Sequence, residues 1–125
     1  MRVAARWFLA LLFMLDGVLH VAFPAPFAAI VPPWVPSASL AVLVTGVAAF
    51  GGGAALLAPP LRRAAGIALA LYCIGVYPAN VHHALADIGH WGWGYHAPRL
   101  ALQPLLVWAC LWAGEAIDWP FAPAR

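Results

Sequence analysis

Long apolar runs alternate with short segments rich in proline, arginine and tryptophan along the chain. Four runs can be distinguished: from about Trp7 to Phe23, from Ala38 to Ala58, from just after Arg63 to Ala86, and from Pro98 to Ile117. Each run holds about 20 residues, the length at which an α-helix crosses the hydrocarbon core of a bilayer. Prolines cluster between the runs because they lack the amide donor that a helix interior needs. The pattern predicts an all-α fold, a bundle of four transmembrane helices.

The amino-acid composition also indicates that these helices lie in a membrane. Of the 125 residues, 66% are hydrophobic and only 8% are charged, and the mean hydropathy is +0.90. Soluble domains carry about 25% charged residues, so a soluble globule is excluded. Four crossings use about 80 positions, which predicts one integral-membrane domain over residues 1–125. The lipid bilayer is its expected surrounding, and six scattered arginines with no lysine argue against a nucleic acid partner.

The arginines also predict the orientation of the chain. Cytoplasmic loops of membrane proteins carry an excess of arginine and lysine. With four spans, Arg99 lies alone on one side of the membrane, and the other side holds Arg2, Arg6, Arg62, Arg63 and Arg125. We therefore expect both termini in the cytoplasm, and a multi-pass protein of the bacterial inner (cytoplasmic) membrane.

Small residues are concentrated in the second run, where Gly46, Ala49 and Gly53 follow one another at helical spacing. Small side chains allow helix backbones to approach closely inside a membrane. Two roles are open for this face. It can pack against other helices of the same chain, or it can support a homo-oligomer through the small-xxx-small step from Ala49 to Gly53.

Polar side chains within the apolar runs form the candidate site. An unpartnered polar group in hydrocarbon costs several kcal/mol, so each one needs a reason. Asp16 and His20 are one helical turn apart and can contact each other. At a rise of about 1.5 Å per residue, His20 and four further side chains fall at similar depth near the outer surface. The predicted outward-facing pocket consists of Asp16 as its floor, with His20, Asn80, His83, Arg99 and Gln103.

Two connectors lie over this predicted pocket. The segment from Pro24 to Ser39 is rich in proline and hydrophobic residues, so we expect it to lie in the interface as a cap. The segment from His90 to His96 alternates tryptophan and glycine, and it is expected to form the other lip.

Each polar residue also has a purely structural explanation. Asp16 and His20 can be a hydrogen-bonded pair that joins helices. Asn80 and Gln103 can bond backbone groups freed by Pro78, which has no N–H and interrupts the third helix. The remaining histidines can be hydrated residues of the membrane interface, namely His82, His83, His90 and His96.

The two cysteines, Cys73 and Cys110, lie deep in apolar runs and far apart in sequence. They form neither a CxxC redox motif nor a disulfide framework. Because apolar surroundings suppress thiol reactivity, we expect both to be unpaired packing residues.

Several short motifs resemble the DoxX family of small membrane proteins, and the resemblance covers nearly the whole chain. The motifs are Gly17-Val-Leu-His20, Pro32-Pro-Trp-Val-Pro36, Thr45-Gly-Val, Leu56-Leu with Arg62-Arg63-Ala-Ala, Pro78-Ala-Asn80 and Arg99-Leu-Ala-Leu-Gln103. The resemblance implies a four-helix membrane bundle. It also implies thiosulfate:quinone oxidoreduction, as in some members, or a membrane complex that handles thiol and oxidative stress, as in others. Family members often carry a glutamate after the Gly-Val-Ala stretch, where this chain has Ala49.

Three functions are compatible with these observations. The chain can be an accessory subunit of a membrane redox complex whose pocket holds a quinone head group, because His, Asn and Gln can hydrogen-bond the quinone oxygens. It can be a structural or assembly protein that binds a membrane partner without a cofactor. It can also bind a metal or haem through His20 with His83 or His82, although two histidines alone make a poor metal signature. Without a nucleophile beside a base or a nucleotide-binding motif, we expect no catalysis by this chain alone.

Overall fold

A computed structural model of the protein describes residues 1–121. Within this range the secondary structure consists of helices and turns, with no strand. The helices are α1 (Arg2–Ala22), α2 (Pro24–Ala28), α3 (Ala38–Leu57), α4 (Arg62–Asp87) and α5 (Trp93–Ala113). The all-α prediction is confirmed for this part of the chain.

Three of the described helices are long and apolar enough to cross a membrane: α1, α3 and the Arg62–Ala86 part of α4. They indicate that the chain is a membrane protein. Helix α5 is as long as α1, at 21 residues, but it is not among them. Its sequence contains His96, Arg99 and Gln103 together with two prolines, and these lower its hydropathy.

The helix ends agree closely with the expected boundaries except at the start of α1, which begins at Arg2 and not near Trp7, and at both ends of α5. Sequence reasoning began this helix near Pro98 and ended it near Ile117, whereas it runs from Trp93 to Ala113. Gly92 precedes it with φ +70°, a left-handed conformation that glycine adopts without strain and that ends the preceding turn. The helix then continues through Pro98. Most of the predicted lip, from Trp93 to His96, is therefore helical.

Close contacts between small residues join α1 to α3. A methyl group at Gly17 would lie 2.5 Å from the carbonyl oxygen of Gly46, and one at Gly53 would lie 2.8 Å from that of Ala10. Ala49, which lies between Gly46 and Gly53 on the same face of α3, is fully buried. The small-residue face is therefore used inside the chain, and it leaves no open surface there for a homo-oligomer.

Helices α4 and α5 approach each other equally closely. A methyl group at Gly66 would lie 2.6 Å from the carbonyl oxygen of Cys110, and one at Gly114 would lie 2.6 Å from the Cα atom of Gly66. Helix α1 also contacts α5, and α3 contacts α4, so the four long helices surround a common core. That core includes Leu9, Phe13, Ala49, Leu56, Leu69, Cys73 and Cys110.

One end of the structure, which we call the terminal end, is held by ion pairs between the chain's beginning and the turn after α5. Arg6 is buried, and its guanidinium donates to the Ala113 carbonyl at 2.9 Å and to the Glu115 carboxylate at 2.7 Å. Arg62 also reaches Glu115, at 3.3 Å, and Arg2 pairs with Asp118 at 2.8 Å.

Three of the five arginines assigned to one side of the membrane therefore meet at this end. They are Arg2, Arg6 and Arg62. Arg125, which was assigned to the same side, lies outside the described residues.

Candidate functional site

A cavity of about 430 Å³, the central cavity, lies between the helices near the other end of the structure, which we call the cap end. Five of the six predicted site residues line it: Asp16, His20, Asn80, Arg99 and Gln103. The segment after α1 lines it with mainly apolar side chains, including Phe27, Ile30, Val31, Trp34 and Val35. The segment expected to act as a cap therefore borders the same cavity as the polar residues. The cavity wall also includes a hydroxyl group from Thr45, another from Tyr72 and the Cys73 side chain.

His20 is held in one orientation. Its Nδ1 lies 2.7 Å from the backbone carbonyl oxygen of Asp16, and its ring stacks on Phe27 with the centroids 3.8 Å apart. A carbonyl oxygen can only accept a hydrogen bond, so Nδ1 carries the proton. In the neutral ring Nε2 is then an acceptor. Among the described residues it has no hydrogen-bond partner, so it is available to a donor in the cavity.

Asp16 contacts side chains from two helices. One carboxylate oxygen, Oδ2, accepts a hydrogen bond from the Tyr72 hydroxyl at 3.1 Å. The other, Oδ1, lies 3.5 Å from His20 Nδ1. The predicted Asp16–His20 contact is thus present, and both residues also line the cavity. Sequence reasoning missed Tyr72, although a phenol hydroxyl in the middle of an apolar run signals a buried partner.

Gln103 connects α5 to the backbone of α4. Its Nε2 donates to the carbonyl oxygen of Cys73 at 2.9 Å, and its Oε1 lies 3.5 Å from Asn80 Nδ2. Cys73 directly precedes Ile74, whose carbonyl lacks its usual helical partner because Pro78 has no N–H. Gln103 therefore bonds the carbonyl one residue before the freed one, not the freed carbonyl that the structural alternative predicted, and it also lines the cavity.

His96 is not the interfacial loop residue that the sequence suggested. It is fully buried, and it lies between Asp87 Oδ2, 3.0 Å from Nε2, and Arg99 Nη1, 2.9 Å from Nδ1. Arginine can only donate, so Nδ1 is the acceptor and Nε2 carries the proton that is donated to Asp87. The early start of α5 explains the error, because it puts His96 one turn before Arg99 on a helix that packs against α4.

These contacts form a continuous polar chain along α4 and α5. Arg99, which bonds His96 on one side, lies 3.5 Å from Asn80 Oδ1 on the other. Asn80 in turn lies next to Gln103. This series of polar contacts begins at Asp87, near the end of α4, and reaches the central cavity at Arg99.

His83 is the predicted site residue that does not line the central cavity. It borders a second cavity together with Asp87 and Arg99, and its ring meets that of His96 edge to face at 5.2 Å. His20 and His83, the pair considered for a metal or haem, therefore line different cavities. In the part of the chain that the structure describes, no three His, Cys, Asp or Glu side chains converge as a metal site would require.

Cys73 and Cys110 are both free thiols buried in the core, as expected. Both belong to the same core cluster, Cys73 on α4 and Cys110 on α5. Cys73 also borders the central cavity.

Fold and cavity together define a small helical membrane protein with a partly polar cavity beneath an apolar cap. A family model described as "Domain of unknown function (DUF8561)" matches residues 9–113, and the chain belongs to this family. No curated protein and no solved structure matches the chain.

Proposed function

We propose that this chain is a DoxX-like, quinone-binding accessory subunit of a membrane redox complex. In this proposal the central cavity holds the head group of a quinone or its quinol, and a partner membrane protein in the same complex exchanges electrons with it. The observation that carries the proposal is the set of five polar residues around one apolar-capped cavity of about 430 Å³.

The cavity has the hydrogen-bonding groups that such a ligand needs. His20 Nε2 is an acceptor for a quinol hydroxyl. Arg99 and the second amide hydrogen of Gln103 are donors for a quinone carbonyl. Phe27 and Trp34 offer apolar surface to the ring. A volume of about 430 Å³ lies within the range of small-molecule sites, which are mostly apolar with a few placed polar groups.

We further propose that α5 is the fourth span of a four-helix bundle. Its 21 residues extend over about 31 Å, enough to cross the hydrocarbon core. Its polar residues Arg99 and Gln103 contact α4 and the cavity, whereas Leu102 and Leu105 are 52% exposed. Its low hydropathy then reflects an inward polar face. Both termini are cytoplasmic in this proposal, because the terminal end carries most of the arginines.

Quinone retention tests the ligand. The protein is purified in mild detergent with its native lipids, and co-purifying quinone is extracted and quantified per mole of protein. His20→Phe keeps a ring on Phe27 and removes both nitrogens. We expect it to weaken retention of the quinol form about tenfold in protein purified with a reductant and without oxygen, because His20 Nε2 accepts from a quinol hydroxyl. The loss is that of one hydrogen bond of roughly 1.4 kcal/mol.

The matched control is Leu105→Ala on the exposed face of α5. It should retain as much quinone as the unmodified protein. The stability of the His20→Phe variant should change little, because the Asp16 carbonyl keeps its helical N–H donor and Tyr72 still bonds the carboxylate. Equal quinone in both variants, or no more quinone than an unrelated membrane protein retains, would contradict the proposal. A stoichiometric protein partner without quinone would favour the assembly function instead.

A further inference from the structure

We propose that the central cavity opens to the bilayer between α3 and α4, and that its ligand is a quinone whose long isoprenoid tail leaves through this opening. The inference rests on the proposed function for the head group, and it adds the class of quinone and the route of its tail. It begins from Gly75, which borders the cavity and is nevertheless exposed on α4.

The position of Gly75 indicates that the cavity reaches the lipid-facing side of α4. Leu71, four residues earlier and so on the same face of the helix, is 62% exposed. Cys73, which belongs to the buried core, lies about 200° from Gly75 around the helix axis. Among the described residues, no atom of another helix lies within 4 Å of the place that a methyl group at Gly75 would occupy. The cavity beside Gly75 is therefore open on its lipid side.

Helices α3 and α4 touch near the terminal end and enclose the cavity toward the cap end. A methyl group at Gly52 would lie 2.6 Å from Cδ2 of Leu69. The two helices run antiparallel, so Thr45 and Val76, each two turns nearer the cap end on the same faces, come opposite each other. Both of these residues line the central cavity. At their height, the cavity occupies the space between α3 and α4.

This opening lies at the depth of the hydrocarbon core. Gly75 is 12 residues after Arg63 and 12 residues before Asp87. At a rise of about 1.5 Å per residue, it lies about 18 Å along α4 from each of these charged residues. The hydrocarbon core is about 30 Å thick, so an opening beside Gly75 faces acyl chains and not water.

The two sides of the cavity differ in polarity. Asp16 and His20 belong to α1, and Arg99 and Gln103 belong to α5. On the α3 side, the Thr45 hydroxyl donates at 2.8 Å to a carbonyl oxygen one turn earlier in its own helix. The rest of the wall beside the opening is apolar and consists of Ala41, Val42, Gly75, Val76 and Ala79. A ligand with its polar head group toward α1 and α5 and its tail toward α3 and α4 fits this division.

The volume of the cavity gives a reason for the opening. About 430 Å³ is at the lower end of the volumes that hold small-molecule ligands, so it suits a head group. A tail of ten isoprene units exceeds this volume and must continue outside the cavity. Between small residues of two helices and the surrounding acyl chains, the tail stays in apolar surroundings along its whole length.

The variant Gly75→Phe tests the opening with two quinones that share one head group and carry either one or ten isoprene units. The full chain on an affinity resin is equilibrated with each quinone in mixed micelles, and bound quinone gives the apparent Kd. We expect Gly75→Phe to raise the apparent Kd of the long-chain quinone about tenfold, because the ring occupies the space of the tail. The short-chain quinone should bind within about twofold of its affinity for the unmodified protein.

The matched control is Gly51→Phe on α3. Gly51 is also helical and exposed, and within the described part of the chain no atom of another helix would lie within 4 Å of a methyl group there. Unlike Gly75, it is not part of the cavity wall. Gly51→Phe should leave both affinities unchanged, and thermal unfolding in detergent verifies that both variants fold.

A second measurement uses the unmodified protein, so it does not depend on the folding of a variant. A quinone with the same head group carries a diazirine on its second isoprene unit, and light converts this group to a carbene that inserts into nearby C–H bonds. We expect mass spectrometry to locate the cross-links on α3 and α4, near Ala41, Gly75 and Ala79. An excess of the long-chain quinone should suppress them.

The outcomes separate this inference from the proposed function. If the unmodified protein binds neither quinone, the proposed function fails and the tail route fails with it. If it binds only the short-chain quinone, or if Gly75→Phe weakens both quinones equally or neither, the opening is overturned and the quinone site stands. Cross-links confined to α1 and α5 would overturn the opening in the same way. Selective loss of the long-chain quinone, with cross-links on α3 and α4, supports the inference.

Discussion

The two ends of the molecule use polar residues in opposite ways. At the terminal end, charged side chains pack directly on one another, and Glu115 takes up Arg6 and Arg62 together. Around the central cavity, polar side chains are partly satisfied and partly open, as His20 shows with one nitrogen bonded and the other available. The difference teaches that a polar residue within a membrane protein points to a ligand when it keeps an unused hydrogen-bonding group beside a cavity.

The largest expected effect concerns the side of the membrane on which each end lies. In a chain whose two native cysteines are replaced by alanine, we introduce His90→Cys at the cap end and Pro60→Cys at the terminal end, both at exposed positions. A membrane-impermeant maleimide should label His90→Cys in intact cells and Pro60→Cys only after lysis. The reverse pattern would invert the topology and put the cavity on the cytoplasmic side.

A smaller effect is expected from breaking the buried ion pair of the terminal end. Glu115→Ala leaves the Arg6 guanidinium, which is 8% exposed, without its carboxylate. Because Glu115 itself is about half exposed, we expect a loss of about 2 kcal/mol in the free energy of unfolding, below the usual cost for a fully buried pair.

Thermal unfolding in detergent measures this loss, and quinone retention below the transition should not change. Asp118→Ala is the matched control, because it breaks the more exposed Arg2–Asp118 pair and should cost within about 0.5 kcal/mol. Equal destabilisation by the two variants would mean that burial of Arg6 contributes nothing.

The smallest effect is expected at the floor of the cavity. Asp16→Leu removes the acceptor of the Tyr72 hydroxyl, so we expect a loss of about 1 kcal/mol in the free energy of unfolding. Adding Tyr72→Phe should recover most of it, because no hydroxyl is then left without a partner. A double-mutant cycle measured by thermal unfolding tests the coupling. Strictly additive effects would show that the two side chains do not interact.

Much of the site could be predicted because depth along a helix follows from counting residues. Asp16, His20, Asn80, Arg99 and Gln103 were selected on this basis, and all line the central cavity. His83 was selected on the same basis and lies elsewhere. Counting gives the height of a side chain along its helix but not the direction in which the side chain points. His83 has a height similar to that of the five cavity residues, but it points in a different direction.

Residues missed by the sequence reasoning share a different cause. His96 was assigned to a loop because Pro98 was read as a helix start, yet a glycine with positive φ begins the helix earlier. Tyr72 was missed because its partner, Asp16, lies on another helix. Local patterns carry no information about which side chains of separate helices meet.

By itself, the sequence determined that the chain is helical and belongs in a membrane, because hydrophobic runs bounded by proline and arginine leave few other folds. It also determined the height of the polar residues along their helices, since the helical rise is constant. Only the tertiary structure decided which of these residues share a cavity. That choice depends on the rotation of each helix about its axis, which is set by close packing at Gly17 and Gly46 and at Gly66 and Gly114.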